Sequence, residues 1–134
     1  MLSNKKQVTI LINDPEADAV IPLLRAPADG GITIERAFGM FPVAVTASTA
    51  NYVDLALING GTAGAGTAII SDSVGGTAGW AVKTVKEFTV VAGSGKLTAN
   101  QILYLDYAET GSVAPLCMAV VVEYVDGIGS KANA

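Results

Sequence analysis

The sequence contains no histidine, and that absence removes more chemistry than any motif adds. Without imidazole there is no serine–histidine–acid or cysteine–histidine catalytic site, no histidine-containing zinc site, and no use of the commonest general acid–base near neutral pH. Cysteine is limited to Cys117. A lone thiol forms no internal disulfide, and inside PLCMAVVVEY it reads as a small buried hydrophobe. Charge is also sparse, with 15% Asp, Glu, Lys and Arg against 51% hydrophobic residues and a net charge of −4. The eight basic residues (Lys5, Lys6, Arg25, Arg36, Lys83, Lys86, Lys96, Lys131) are scattered. They do not cluster as a nucleic-acid surface must in order to displace counterions, so nucleic acid is not an expected partner. Long hydrophobic runs are missing too. None approaches the roughly 18 residues that span a bilayer, and the run in QVTILINDPEADAV breaks at Asn13-Asp14-Pro15, too early for a signal-peptide core. A soluble, unexported, unusually apolar chain without a membrane partner is expected.

What is present includes one near-motif. VVAGSGKLTANQ, residues 90–101, puts Gly95-Lys96 in a glycine-rich turn after an apolar run, as in a phosphate-binding loop. That loop needs a glycine, four free positions and then Gly-Lys-Ser/Thr, so that backbone N–H groups wrap the phosphates and a hydroxyl reaches magnesium. Here Val90 occupies the first glycine position and Leu97 follows the lysine. The following residues alternate with a period of two, Leu103, Leu105 and Tyr107 against Tyr104, Asp106 and Ala108, which describes a strand and not the required helix. No nucleotide site is expected. Carboxylate chemistry remains on paper through Asp54, Asp72, Glu87, Asp106, Glu109 and Glu123, although each also fits a solvated position on an outer face or turn and no spacing brings two together. Calcium-loop density is lacking around Asn13-Asp14-Pro15-Glu16 and Ser71-Asp72-Ser73. No catalytic residue, cofactor or metal ligand is assigned.

Short β-rich runs punctuated by glycine and proline fill the chain: Val8–Ile12, Ala19–Arg25, Ile32–Ala37, Pro42–Ala47, Tyr52–Asn59, Thr67–Ser71, Trp80–Lys83, Glu87–Val91, Ile102–Tyr107 and Leu116–Val125. Their separators, among them Asp29-Gly30-Gly31, Asn59-Gly60-Gly61, Gly75-Gly76 and Gly93-Ser94-Gly95, supply the positive-φ positions of tight turns, and Asn59-Gly60 is the strongest hairpin cue. Asp14–Leu24 has room for a short helical turn around Pro15 and Pro22. Many short strands at this spacing predict an all-β sandwich or barrel in one domain, residues 18–134, preceded by residues 1–17 as an arm or a first strand. In YVDLALIN and CMAVVVEYVDG both faces are apolar, so both strands should be covered on two sides or meet another subunit. GGTAG at residues 60–64 recurs at residues 75–79. Two copies are too few for a solenoid, and flexible Gly/Ala/Thr connections at opposite ends of a sheet explain them. Of the sparse aromatics, Trp80 is the best platform for a ligand, although a strand tryptophan also serves as a core or interface anchor.

The order of elements in PVAVTASTANYVDLALINGGTAGAGTAI, then GGTAGWAVKTVKEFTVVAGSGKLTANQILYLDYAETGSV, then PLCMAVVVEYVDG resembles the small β-sandwich head decoration, or cement, proteins of tailed bacteriophages. The resemblance runs from about Ile32 to Gly127. Its features are general: small-residue loops, Leu-Thr-Ala before an apolar strand, and a long apolar last strand. It implies a jelly-roll-like antiparallel β-sandwich, a homodimer or homotrimer made in the bacterial host cytoplasm. It also implies a place on the capsid surface of the virion, bound to the major capsid protein across seams of the mature shell. No shell-contact residue is carried over. Two other classes compete with this reading. One is a receptor- or carbohydrate-binding sandwich of a tail fibre or surface appendage, using Trp80 and the glycine loops. The other is a small hydrolase with two carboxylates.

Overall fold

The computed structural model describes residues 5–12, 19–40, 45–79, 85–111, 113 and 118–127. These form ten strands: β1 (Lys5–Ile12), β2 (Ala19–Arg25), β3 (Ile32–Met40), β4 (Tyr52–Asn59), β5 (Ala68–Ile69), β6 (Val74–Gly75), β7 (Val85–Phe88), β8 (Lys96–Leu97), β9 (Ile102–Thr110) and β10 (Met118–Asp126), with a single 3₁₀ turn at Gly76–Ala78. The expected strands over 19–25 and 52–59 match β2 and β4 residue for residue, so the helical turn considered for Asp14–Leu24 gives way to a strand from Ala19 onward. Ile21 and Leu24 on this strand face Leu105 and Leu103 of β9, and that pairing outweighs the local proline signal. The expected Trp80–Lys83 strand lies outside the described residues, as do the first half of Pro42–Ala47 and both Leu116 and Cys117; of residues 45–47, Val45 alone is in a β-bridge.

One sheet runs β1-β10-β3-β7, with β8 also on β3; the other runs β2-β9-β4-β5, with β6 also on β4, and every pairing is antiparallel. From β1 to β4 successive strands alternate between sheets; β4, β5 and β6 then share one sheet and β7 and β8 the other. The last two strands each slot between earlier ones, β9 between β2 and β4 and β10 between β1 and β3. This interleaving makes the protein a jelly-roll β-sandwich. The inner faces meet in one core that includes Ile32, Ile34, Leu55, Leu57, Leu97, Leu103, Leu105, Tyr107, Val120 and Val122, all essentially without solvent exposure.

Local sequence explains the irregularities. In ITIERAFGM, two consecutive polar residues interrupt the alternation, and the β3–β10 register slips there: Arg36 faces Glu123 while Ile34 faces Tyr124, leaving Glu35 as the extra residue of a bulge. The bulge lets Ile32 and Ile34 on one side and Ala37 on the other all face the core. Lys96–Leu97, expected as a turn, instead pairs with Ile32–Thr33 before the chain crosses to the other sheet through a turn in which Gln101 N donates to Thr98 O at 3.0 Å. Between the two sheets, Ser71 and Val90 form a bridge, Val91 N donates to Ile70 O at 2.8 Å and Asp72 N donates to Thr89 O at 2.9 Å. This side of the sandwich is stitched shut. The expected strand Thr67–Ser71 accordingly shortens to Ala68–Ile69, because Ile70 and Ser71 turn inward to join the sheets. The buried Ser71 hydroxyl accepts from Leu57 N at 2.9 Å and satisfies a donor that the broken edge would otherwise leave unpaired.

The two GGTAG copies sit at opposite ends of β4, one after Asn59 and the other beside Asp54 and Leu55. Both place their second and fifth residues at positive φ, Gly61 and Gly64 in the first copy and Gly76 and Gly79 in the second. The second copy also starts at positive φ, at Gly75, so the repeated sequence is only in part a repeated backbone shape.

Candidate interaction surface

Register decides which side chains share an outer face. On the β1-β10-β3-β7 sheet, Leu11 lies opposite Ala119, Ala119 opposite Met40, and Met40 opposite Val85. One row along is Thr9, Val121, Phe38 and Glu87, and the next is Gln7, Glu123 and Arg36. The first row is wholly apolar and its ends are open to water, with Leu11 76% and Val85 47% exposed. Phe38 and Val121 extend it into the second row. The third row is charged and tied down: Arg36 Nε donates to Glu87 Oε1 at 2.8 Å while its guanidinium stacks over Phe38 at 5.1 Å, and Lys5 Nζ lies 3.7 Å from Glu123. Such exposed pairs contribute little stability, but they give the apolar end of the face a polar border.

The outer face of the other sheet has a different character. Asp54 lies opposite Ala108 and Asp106 opposite Ala56, so the two carboxylates are diagonal neighbours on adjacent strands, about 7 Å apart at Cα. The basic residue on this face, Arg25, is at its far end and donates to Asn100 Oδ1 at 2.9 Å. Both faces of YVDLALIN were expected to be covered. The structure buries Val53, Leu55 and Leu57 on one side, whereas on the other Tyr52, Asp54 and Ala56 are half-exposed and Ile58, at the β5 end, is buried.

The other sequence candidates are dispersed. Asp72 is an exposed residue beside the sheet-joining stitch, Glu87 pairs with Arg36, and Glu123 pairs with Lys5. Glu109 is not a solvated outer-face residue: it shares the core-facing side of β9 with the fully buried Tyr107, whose hydroxyl donates to Glu109 Oε1 at 2.6 Å. No group of three or more potential metal ligands occurs among the described residues. Trp80 lies outside them. The apolar row on the outer face had no local signal, because it draws one residue from each of four strands remote in sequence.

Tyr107 carries the clearest electrostatic signature. Burial first, then the hydrogen bond to Glu109 and its negative charge, raise the phenol pKa well above its ordinary value of 10.0. A folded state that holds this proton more tightly than the unfolded chain keeps the full contribution below about pH 10 and loses it as pH rises beyond. Urea midpoints measured from about pH 8 to about pH 11 should therefore fall at the alkaline end, and less steeply in Tyr107→Phe. Equal alkaline slopes for the two proteins would count against this account.

Comparison with known proteins finds no matching family model and no similar curated protein.

Proposed function

We propose that this chain is a non-enzymatic structural protein of a virion, a decoration protein that binds the outer surface of a tailed-phage head and stabilises the shell. The observation that carries the reading is the apolar row Leu11, Ala119, Met40 and Val85 with its polar border, on the outer face of a jelly roll. Binding across a shell seam demands broad contact, an apolar centre and a solvated rim rather than a deep cleft. The major capsid protein is the partner. The resemblance of the chain to head decoration proteins supports the same reading, whereas the receptor- or carbohydrate-binding alternative rests on Trp80.

Purified protein added to shells from its source should load onto expanded heads and not onto procapsids. Met40→Asp, which places a carboxylate in the middle of the apolar row on a half-exposed site, should reduce loading by about tenfold or more while leaving the fold intact. Wild-type protein that ignores expanded shells, or Met40→Asp protein that loads normally, would overturn the proposal.

A further inference from the structure

Among the described residues, the sandwich is closed on one side and open on the other. The closed side is the Ser71–Val90 stitch. The open side presents two edge strands, β1 and β2. β2 is blunted against further pairing by Pro22 and by the register shift between Pro22 and Leu24. β1 has neither device. It pairs with β10 without a break from Lys5↔Val125 to Ile12↔Met118, contains no proline or glycine, and has nothing on its other backbone edge among the described residues. Lysines commonly guard such edges, but here both are turned back onto β10: Lys6 Nζ donates to Asp126 Oδ2 at 2.6 Å, and Lys5 pairs with Glu123.

We propose that β1 is a self-association edge, joining antiparallel to β1 of a second copy about a twofold axis normal to the sheet and centred on Thr9. The side-chain pattern of β1 fits a second copy of itself, and the charge pattern selects the direction. A twofold normal to the sheet keeps each outer face on the same side, so only residues of one face oppose each other: Thr9 meets Thr9 of the second copy, Gln7 meets Leu11, Val8 meets Ile10 and Lys6 meets Ile12. The lysines of the two copies then lie at opposite ends of the ladder, whereas a parallel pairing would set them side by side. A threonine–threonine cross-strand pair and an apolar pair beneath it are favourable contacts in an antiparallel ladder. Two five-stranded sheets become one continuous sheet.

The axis also lays the two copies' outer faces in one plane. Four strands at about 4.8 Å spacing and three residue rows at about 6.8 Å cover about 400 Å² per copy. A stable interface takes about 800 Å² from each partner, which two coplanar faces supply and one does not. This consequence rests on the shell-binding reading; the dimer itself does not.

Sedimentation equilibrium of the full chain at micromolar concentration, with no shell present, tests the edge. The wild type should have the mass of two chains, and Thr9→Lys, at an exposed position of β1, should weaken association roughly tenfold by setting like charges opposite each other. In a Cys117→Ser background, Thr9→Cys should oxidise to a covalent dimer, because directly opposed Cα atoms fall within disulfide range. A monomeric or trimeric wild type overturns the proposal, and so does a monomer that instead pairs β1 with an extended segment of another protein. A dimer that Thr9→Lys leaves intact and Thr9→Cys fails to cross-link also overturns it. A dimer cross-linked at position 9 that does not load onto expanded heads upholds the edge and overturns the shell reading.

Discussion

Leu97→Ala is expected to destabilise the fold by about 3 kcal/mol, while Lys96→Ala beside it changes stability by no more than about 0.5 kcal/mol. Leu97 has no solvent exposure and lies in the common core with Ile32 as its strand partner. It is held where the chain leaves one sheet for the other, by Lys96–Leu97 pairing on one side and the Thr98–Gln101 turn on the other, so neighbouring backbone has little freedom to collapse into the space left by a smaller side chain. A residual cavity adds to the lost transfer free energy. Lys96 points to solvent on the opposite face of the same short strand. Urea denaturation of the two variants checks the contrast. A phosphate loop would show the reverse ranking, with lysine essential to ligand binding and its apolar neighbour indifferent.

Gly79→Ala is expected to cost about 3 kcal/mol, against about 1 kcal/mol for Gly61→Ala, although both glycines belong to the repeated GGTAG segment and both have positive φ. The difference lies in what a methyl group would meet. At Gly61 it would find nothing within 4 Å, so only backbone strain opposes it. At Gly79 it would run into the carbonyl oxygen of Val45, with Ala47 N 2.9 Å away, and both obstacles are backbone. A flexible side chain gives way cheaply; main chain held by a hydrogen bond such as Ser48 N to Thr77 O does not. Thermal or urea unfolding of the two variants measures the gap, and equal losses would mean that φ alone matters at both positions.

Much of the fold was legible because alternation and turn residues are local. YVDLALIN states its length but not which of its two apolar faces is the buried one, and the Asn59-Gly60-Gly61 signal marks a genuine reversal, although β5 returns only at Ala68, giving a longer loop than a two-residue hairpin. The two-residue strands β6 and β8 are too short to show any period. Their pairing is fixed by β3 and β4, which lie far away in sequence. The expected strand Ile32–Ala37 ran through Glu35-Arg36 with no sign of the bulge, because two adjacent polar residues fix no register by themselves, and β3 continues to Met40. The interaction surface was less legible still. Which of six scattered carboxylates become neighbours, and which apolar residues line up, depends on register between strands separated by most of the chain. Asp54 and Asp106 illustrate this, since neither has a local cue pointing to the other.

The pairing of Lys5 with Val125 sets the order in which the protein can be made. β10 is the last strand described, yet it occupies the middle of its sheet, between β1 and β3. On a ribosome, β1 must therefore emerge and wait without its sheet partner until Met118 and the residues after it have been added, and β3 meanwhile can pair only with β7 and β8. The sheet that carries the proposed contact surface is completed only after the other sheet's strands have been synthesised. Such late, long-range closure makes folding slow relative to helical proteins and exposes unpaired edges in the interval. Any shortening of the chain before Met118 would remove the centre of a sheet, not trim its margin.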